Sequence, residues 1–301
     1  MNGIVNLLKP AGMTSHDCVY ALRRISGERK IGHTGTLDPN ACGVLPLCVG
    51  NATRLIEYMD KESKSYRCEM LLGLVTDTQD IWGKVTQDKR HQIMNISTDA
   101  VNTALLNFKG VISQVPPNYS AIKINGKRLY KYAREGQEVK VNSRLVMIYR
   151  LKLLNYDSIS GRLIFDIECS KGTYVRTICH DLGEKLGIGG CMSFLLRTTA
   201  SGFNILQTKT LQELEIMTIP EFEASLYPAS YAVKGLDRLN LNELQAKLFY
   251  NGNPEFQKGL ISSQPNISNS VDPLAVFFED ELLGIAEITL DGEYKVAKVL
   301  K

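Results

Sequence analysis

The sequence of 301 residues has no long hydrophobic run and little net charge. No apolar stretch approaches the roughly 20 residues that a membrane-spanning helix requires, so we expect no membrane partner. Residues Met1 to Asn6 have neither a basic flank nor a long apolar core, so no secretory signal is expected. With 44% hydrophobic and 22% charged residues, the composition is that of a soluble globular protein.

Clustered metal ligands are also missing. The seven cysteines are dispersed, no pair has the C-x-x-C spacing, and no group of His and Cys residues has the spacing of a zinc site. An odd number of dispersed cysteines favours reduced thiols, as in proteins of the cytoplasm. We therefore expect a cytoplasmic protein that binds no metal.

A glycine-rich segment lies between a predicted helix and a predicted strand. It runs from Lys30 to Pro39 as KIGHTGTLDP and continues to Leu47 as NACGVLPL. Glycine permits positive φ angles and close chain approach, and Pro39 restricts both its own backbone and that of Asp38. Asp38 and His33 thus lie on a stiffened loop, where Asp38 could be a nucleophile or a general base. The alternative is a turn in which Asp38 only caps a backbone amide.

Three other chemistries do not fit this loop. No Gly-Lys-Ser/Thr sequence follows the glycines, so the loop is not a P-loop. It lacks the second clustered carboxylate that would favour a metal site. A phosphoaspartate transferase would need its nucleophile at Gly32, so the essential group is missing. A phosphoryl-transfer enzyme of another kind stays open as an alternative. It would depend on magnesium, and full activity in a chelator would eliminate it.

A basic segment with interleaved tyrosines follows further along the chain. Between Tyr119 and Lys140 there are six basic and two acidic residues, in a chain whose net charge is only +3. We predict a turn at Asn125-Gly126 and a short helix over about residues 127–134. Aromatic rings can stack on bases while cations neutralise phosphates, so the segment suits a nucleic acid. A solvated amphipathic hairpin is the alternative.

Two further polar residues lie in patterns that leave their roles open. The strand predicted over residues 64–72 alternates so that Tyr66 faces the same side as core residues, which also fits a purely structural tyrosine. Arg176 lies in the first turn of a predicted helix, where the helix dipole disfavours a cation. It therefore either has a specific anionic partner or is exposed at the surface.

The character of the chain changes after about residue 235. Beyond it come short strand-like pieces with turns, including a polar stretch over residues 262–273, which indicate a small separate β-rich domain. We predict one domain over residues 1–235 and a second over residues 236–301.

Five segments, in this order, resemble the motifs of the bacterial tRNA pseudouridine-55 synthase family, also called the TruB family. They are residues 9–15 (KPAGMTS), 32–46 (GHTGTLDPNACGVLP), 64–66 (KSY), 119–130 (YSAIKINGKRLY) and 169–177 (CSKGTYVRT). The resemblance covers roughly residues 4 to 205. The chain departs from the family at Leu196-Arg197, where relatives often carry two arginines.

The resemblance implies an α+β fold with a mixed, largely antiparallel central sheet flanked by helices, the pseudouridine synthase fold. Residues 1–235 would be the catalytic domain, with an RNA-gripping thumb over about residues 119–145. Residues 236–301 would form a small β-rich, PUA-like RNA-binding domain, matched best at residues 284–286 and 299–300.

The resemblance also implies roles for individual residues. Asp38 would be the catalytic aspartate, and Tyr66 would stack on the flipped uracil and help remove a proton at the end. Arg176 would pair with Asp38 and favour its ionised form. His33 would fill the space that the flipped nucleotide leaves in the T loop. The other residues implied to bind the substrate are Tyr174, Leu195, Lys123, Lys127 and Arg128.

The implied reaction isomerises uridine 55 in the T loop of tRNA, within a monomeric enzyme that needs neither cofactor nor metal. The residues alone also allow an RNA-binding or RNA-chaperone module in which Asp38 is merely structural.

Overall fold

The computed structural model describes residues 1–59, 63–137, 139–258, 260, 272–289 and 292–300. These residues form an α+β fold around a mixed, largely antiparallel sheet, which confirms the predicted fold class. Most of the polar stretch predicted over residues 262–273 lies outside the described residues. Within the described ranges, no helix is long and apolar enough to cross a membrane.

The strands and helices are numbered in chain order. The strands before residue 236 are β1 Gly3–Lys9, β2 Ile31–His33, β3 Cys42–Val49, β4 Lys64–Leu72, β5 Leu74–Thr76, β6 Val85–Asp88, β7 Gly110–Gln114, β8 Lys123–Ile124, β9 Lys127–Arg128, β10 Arg144–Asp157, β11 Arg162–Cys169, β12 Gly190–Ala200 and β13 Phe203–Asn204. The later strands are β14 Arg238–Leu241, β15 Leu274–Phe278, β16 Glu281–Ile288 and β17 Tyr294–Val299. The α-helices are α1 Ser15–Ser26, α2 Ile56–Met59, α3 Thr98–Leu106, α4 Leu129–Arg134, α5 Val175–Lys185, α6 Leu211–Glu215, α7 Ile219–Ala224 and α8 Glu243–Tyr250.

The central sheet has the strand order β1-β3-β12-β4-β11-β10-β7, with β2 paired to β3 and β13 paired to β12. Strand β12 lies between β3 and β4, parallel to β3 and antiparallel to β4. In β4 the side chains of Tyr66, Cys68 and Met70 are buried while Arg67 is exposed, as the alternation predicts. The sheet therefore brings the loop after β2, the tyrosine of β4 and the end of β12 to one region.

Helix α1 packs against the central sheet near that region. The side chain of Thr14 accepts a hydrogen bond from the Asp17 amide and Asp17 bonds back to Thr14, which is a capping box. Cys18 and Leu22 are buried against the sheet, and Gly27 ends the helix in the left-handed conformation at φ 71°.

The C-terminal strands form a second sheet in the order β14-β15-β16-β17. Its residues Phe277 and Ile285 share a hydrophobic cluster with Ala52 and Leu55 of the N-terminal part. The central sheet and the C-terminal sheet are therefore joined through this hydrophobic cluster, and the boundary near residue 235 stays a prediction.

Two elements differ from the prediction. The segment predicted as a loop from Lys30 onwards contains β2, because Ile31 and His33 pair with Val49 and Leu47 of β3. The C-terminal region, for which only strand-like pieces were predicted, contains α8, which begins at a capping box formed by Asn242.

Candidate active site

Asp38 lies on the loop between β2 and β3, and its side chain is 40% exposed. The preceding residue is fixed from α1, because the Ser15 hydroxyl accepts a hydrogen bond from the Leu37 amide at 2.9 Å and donates to the Leu37 carbonyl at 3.1 Å. The Ala41 amide donates to the Asp38 carbonyl at 3.1 Å. The backbone on both sides of Asp38 is therefore held while its carboxylate remains accessible.

A buried lysine holds the same loop from β1. The Lys9 ammonium group donates to the carbonyls of Pro10, Pro39 and Ala41 at 2.8, 2.9 and 2.7 Å. Desolvation lowers the pKa of Lys9 from its ordinary value, because burial disfavours the charged form. All three ammonium protons are used by the backbone, so Lys9 stabilises the shape of the loop.

A buried arginine holds the loop from the other side. Arg197 of β12 is fully buried, and it donates from Nε to the Val44 carbonyl and from Nη1 to the Gly35 carbonyl, both at 2.7 Å. Gly43 has φ 113°, and a Cβ atom there would lie 2.2 Å from the carbonyl oxygen of Arg197. Glycine is therefore required at this position by both conformation and space.

Arg176 contacts Asp38 directly. Its Nε lies 2.8 Å from Asp38 Oδ2, and Nη2 donates to Asp38 Oδ1 at 3.4 Å. The arginine side chain is only 5% exposed, so the alternative of an exposed surface arginine is wrong. The Asp38 carboxylate is therefore paired with a buried guanidinium.

Arg176 also donates to two backbone carbonyls that lie far from it in the sequence. Nη1 donates to the Thr78 carbonyl and Nη2 to the Tyr119 carbonyl, both at 3.0 Å. A second carboxylate, Asp80, lies 3.6 Å from Nη1, and its pKa is raised by desolvation. Tyr119 begins the basic segment, so one arginine joins the loop that carries Asp38, the acidic turn of residues 77–80 and the start of that basic segment.

Tyr66 is buried beside this group of charges. Burial raises its pKa to about 12, and the charge of the neighbouring Arg197 guanidinium acts in the opposite direction. Tyr66 shares a hydrophobic cluster with Leu37 and Leu195, and Leu195 is also buried. The ring therefore forms part of an apolar wall next to the charged pair.

Tyr174 lies at the start of α5, two residues before Arg176. Its backbone is fixed by Gln114, whose Oε1 accepts from the Tyr174 amide at 2.8 Å and whose Nε2 donates to the Tyr174 carbonyl at 3.0 Å. The Arg144 guanidinium lies 4.9 Å from the centre of the Tyr174 ring. The residue is half-buried.

His33 lies at the end of β2 rather than on the flexible part of the loop. Its Nδ1 is buried and has no hydrogen-bond partner within the described part of the chain. Burial lowers the pKa of His33, and the charges of His16 and Arg197 lower it further. The imidazole is therefore neutral at pH 7.

The basic segment forms the predicted turn and helix. Asn125 and Gly126 have φ angles of 50° and 81° between β8 and β9, and α4 follows. Lys123 and Arg128 are exposed, whereas the Lys127 ammonium forms an ion pair with Glu135 and lies 4.5 Å from the centre of the Tyr132 ring. The three predicted cations are therefore not equivalent.

The structure thus brings Asp38, Tyr66 and Arg176 together, and their chemical roles stay predictions. Sequence reasoning gave no role in the site to Lys9, Asp80 or Arg197, although Lys9 lies in one of the matched motifs and Arg197 was noted as part of a departure from the family. No group of three or more His, Cys, Asp or Glu residues in the described ranges is placed to hold a metal ion.

The fold is similar to that of solved RNA-related proteins. A chain of a Cbf5-Nop10-Gar1 complex matches with a TM-score of 0.73 at 24% sequence identity, over 99% of this chain and 85% of that chain. A chain of an H/ACA RNP bound to a substrate RNA containing 2′-deoxyuridine matches with a TM-score of 0.71 at 22% identity, over the same shares of the two chains.

Sequence comparison gives the family. The model of the TruB family pseudouridylate synthase N-terminal domain matches residues 23–175, and that of the tRNA pseudouridylate synthase B C-terminal domain matches residues 176–234. The protein named tRNA pseudouridine synthase B of Alkaliphilus oremlandii is 41% identical, over 100% of this chain and 98% of the relative. Proteins of the same name from Streptococcus agalactiae and Clostridium tetani are 44% and 39% identical over the whole of this chain. The chain therefore belongs to the TruB family of pseudouridylate synthases, as the motifs had indicated, and is an enzyme of that family.

Proposed function

We propose that this chain isomerises uridine 55 in the T loop of tRNA to pseudouridine, with Asp38 as its one catalytic carboxylate. The observation that carries the proposal is the accessible Asp38 carboxylate held by buried Arg176, in a chain of the TruB family. The names of the relatives, tRNA pseudouridine synthase B, support tRNA as the substrate.

In the proposed reaction the target nucleotide leaves its stack and enters the region beside Asp38. Asp38 assists cleavage of the bond between N1 of uracil and C1′ of ribose. The uracil then rotates, C5 bonds to C1′, C5 loses its proton, and N1 carries a proton in the product. The composition of the nucleotide is unchanged, so the reaction requires no external electron or group.

The other residues would bind and orient the base. Tyr66 would stack on the flipped uracil as a neutral phenol, because a pKa of about 12 keeps its hydroxyl protonated near neutral pH. Tyr174 and Leu195 would line the nucleotide pocket. A neutral His33 would fill the vacated space in the T loop at a lower desolvation cost than a charged imidazole.

RNA binding would rest on the thumb and the C-terminal sheet. The exposed cations Lys123 and Arg128 are free of the ion pair that holds Lys127, so they would meet the phosphates of the T stem first. Residues 236–301 would act as a PUA-like RNA-binding domain. We propose that the enzyme works as a monomer in the cytoplasm.

The second candidate is an RNA-binding module in which Asp38 is structural. The Asp38 carboxylate is bonded by the guanidinium of Arg176, a contact that a helix-capping or turn-capping aspartate does not need. This contact favours the enzyme.

Unmodified tRNA incubated with the purified protein, without added cofactor, decides between the two functions. Because pseudouridine and uridine have equal mass, the nucleosides are separated by chromatography, and the modified position is located by carbodiimide labelling. We expect the wild-type chain to form pseudouridine at position 55. We expect Asp38→Asn to form none, while its affinity for tRNA stays within about twofold of the wild type. Normal product formation by Asp38→Asn would refute the proposed role of Asp38, and a tRNA with cytidine at position 55 controls for the site.

A further inference from the structure

Gln114 is a buried carboxamide at the last position of β7, and nothing in the proposed reaction uses it. The residue is only 1% exposed, and its side chain forms two hydrogen bonds with the backbone of Tyr174, which lies 60 residues further along the chain. Its Oε1 accepts from the Tyr174 amide at 2.8 Å, and its Nε2 donates to the Tyr174 carbonyl at 3.0 Å. Buried polar groups cost free energy unless they are hydrogen-bonded, so this pair of bonds fixes the Tyr174 backbone against β7.

Tyr174 is the N-cap residue of α5. Its carbonyl begins the helix by accepting from the Ile178 amide at 3.2 Å, and it accepts from Gln114 as well. Within the part of the chain that the structure describes, the Tyr174 side chain forms no capping hydrogen bond. In a capping box the N-cap amide is bonded by a side chain of its own helix, whereas here a side chain from a distant strand takes that place. Gln114 therefore anchors both backbone groups of the residue at which α5 begins.

Arg176 lies two residues after this N-cap, in the first turn of α5. Its Nε lies 2.8 Å from Asp38 Oδ2, and its Nη2 donates to Asp38 Oδ1 at 3.4 Å. A guanidinium is planar and its donors have fixed directions, so a shift of the first turn of α5 would move both contacts together. The place of the guanidinium beside Asp38 thus depends on where the helix begins.

The segment that follows Gln114 returns to the same guanidinium. Pro116 and Pro117 are both buried, and proline restricts its own backbone and that of the residue before it. Two residues later the Tyr119 carbonyl accepts from Nη2 of Arg176 at 3.0 Å. This stiff connection is therefore bonded to the first turn of α5 at both of its ends.

We propose that Gln114 is a positioning residue for the proposed isomerisation: by fixing the N-cap of α5, it holds the Arg176 guanidinium against the Asp38 carboxylate. Gln114 touches no substrate and exchanges no proton. Its effect on the reaction passes through Arg176. A misplacement of about 1 Å caused far from the chemistry can slow a reaction by on the order of 100-fold, so an anchor of this kind has a measurable effect on the rate.

Asn6 offers a matched control. It is also a buried carboxamide, 2% exposed, and its Nδ2 donates to the backbone carbonyl of Asn204 at 3.0 Å. Asn6 lies in β1 and Asn204 in β13. Asn6→Leu therefore removes a buried bond between an amide and a carbonyl without changing the start of α5.

The test is a double-mutant cycle on the single-turnover rate of pseudouridine formation, using the full-length chain in excess over a tRNA transcript. Gln114→Met keeps the length of the side chain and removes both hydrogen bonds, and it is made beside Arg176 and beside Arg176→Lys. We expect Gln114→Met to slow the reaction about tenfold beside Arg176 but less than about threefold beside Arg176→Lys. Its affinity for tRNA should stay within about twofold of the wild type. Asn6→Leu should lower the thermal unfolding midpoint but leave the rate unchanged.

Equal losses for Gln114→Met in the two backgrounds would overturn the proposal, because the effect would then reach the reaction by another route, such as the Tyr174 ring. A rate equal to that of the wild type would overturn it as well. If Gln114→Met does not fold, Gln114→Glu takes its place in the same cycle with the same criteria. Its carboxylate keeps the size and the acceptor for the Tyr174 amide but cannot donate to the Tyr174 carbonyl.

The role of Gln114 rests on the proposed function, but the two can fail separately. A wild-type chain that forms no pseudouridine refutes the proposed function. A wild-type chain that is active while the cycle is additive refutes only the role of Gln114.

Discussion

Asp38 and Asp80 contact different nitrogen atoms of one buried guanidinium, that of Arg176. The side chain of Asp38 is 40% exposed and that of Asp80 is 14% exposed. A substrate can therefore reach Asp38, while Asp80 holds the arginine from the interior. The Thr78 hydroxyl donates to Asp80 at 2.7 Å and the Trp82 amide donates to it at 3.2 Å, so this second carboxylate is itself fixed.

We expect Arg176→Lys to lower the single-turnover rate of pseudouridine formation by about 10- to 100-fold. An ammonium group keeps the charge but cannot reproduce the fork that contacts Asp38, Asp80 and the backbone, and a hydrogen bond to a charged group contributes about 1.5–3 kcal/mol. Tritium release from labelled tRNA measures the rate. Arg150→Lys, at an exposed pair with Glu168, is the control and should change little. A fully active Arg176→Lys enzyme would contradict this role.

In the thumb, Lys123→Gln and Arg128→Gln should each reduce the slope of log affinity against log salt by about 1, because each removes a phosphate contact. Lys127→Gln should reduce it less, since its ammonium already pairs with Glu135 and covers the Tyr132 ring. Filter binding of tRNA at several salt concentrations measures the slopes. Equal slopes for all three variants would show that the ion pair of Lys127 opens on binding.

Gly43→Ala should destabilise the fold far more than Gly12→Ala. Both glycines have positive φ angles, 113° and 86°, so both substitutions are strained by about 1–3 kcal/mol. Only at Gly43 would the new Cβ lie 2.2 Å from the Arg197 carbonyl, whereas nothing lies within 4 Å at Gly12. Urea unfolding followed by circular dichroism gives both values, and similar losses would argue against a close approach of β3 and β12.

The free energy of unfolding should decrease below about pH 7 partly because of His33. Its pKa in the folded chain is lowered from 6.5, so the unfolded chain binds more protons once the pH falls below about 6.5. The free energy of unfolding should therefore drop between about pH 7 and pH 5, and the drop should be smaller for His33→Gln. Urea midpoints at both pH values measure it, with the exposed His91→Gln as the control. If the urea midpoint of His33→Gln fell between pH 7 and pH 5 by as much as that of the wild type, a contribution of His33 would be excluded.

Local signals sufficed to predict several elements. The capping residue Thr14, the terminal Gly27 and the spacing of Cys18 and Leu22 predict α1, because these features act within a few residues of the chain. The turn at Asn125-Gly126 is likewise predicted from local residue types, since asparagine and glycine tolerate positive φ angles. Asp38 could be singled out because glycines and a proline surround it.

Other features depend on partners far away in the sequence. Strand β2 forms by pairing with residues 47–49 of β3, which β12 leaves uncovered, and three residues carry too little pattern to predict a strand. Arg176 and Thr78 are 98 residues apart, so the chain alone does not indicate that the acidic turn with Asp80 reaches the site. Arg197 was noticed only as a departure from the family, because composition rules place arginine at the surface. Helix α8 did have a local signal, the Asn242–Gln245 capping box, which was overlooked.

The position of β12 has a consequence for whether the two family regions can fold separately. The two family regions meet between residues 175 and 176, yet β12, from the second region, fills the centre of a sheet whose neighbours come from the first. Separating the regions would expose the edges of β3 and β4 and remove Arg197 from between them. We therefore expect that neither region folds as an independent module, because the central sheet is complete only with strands from both.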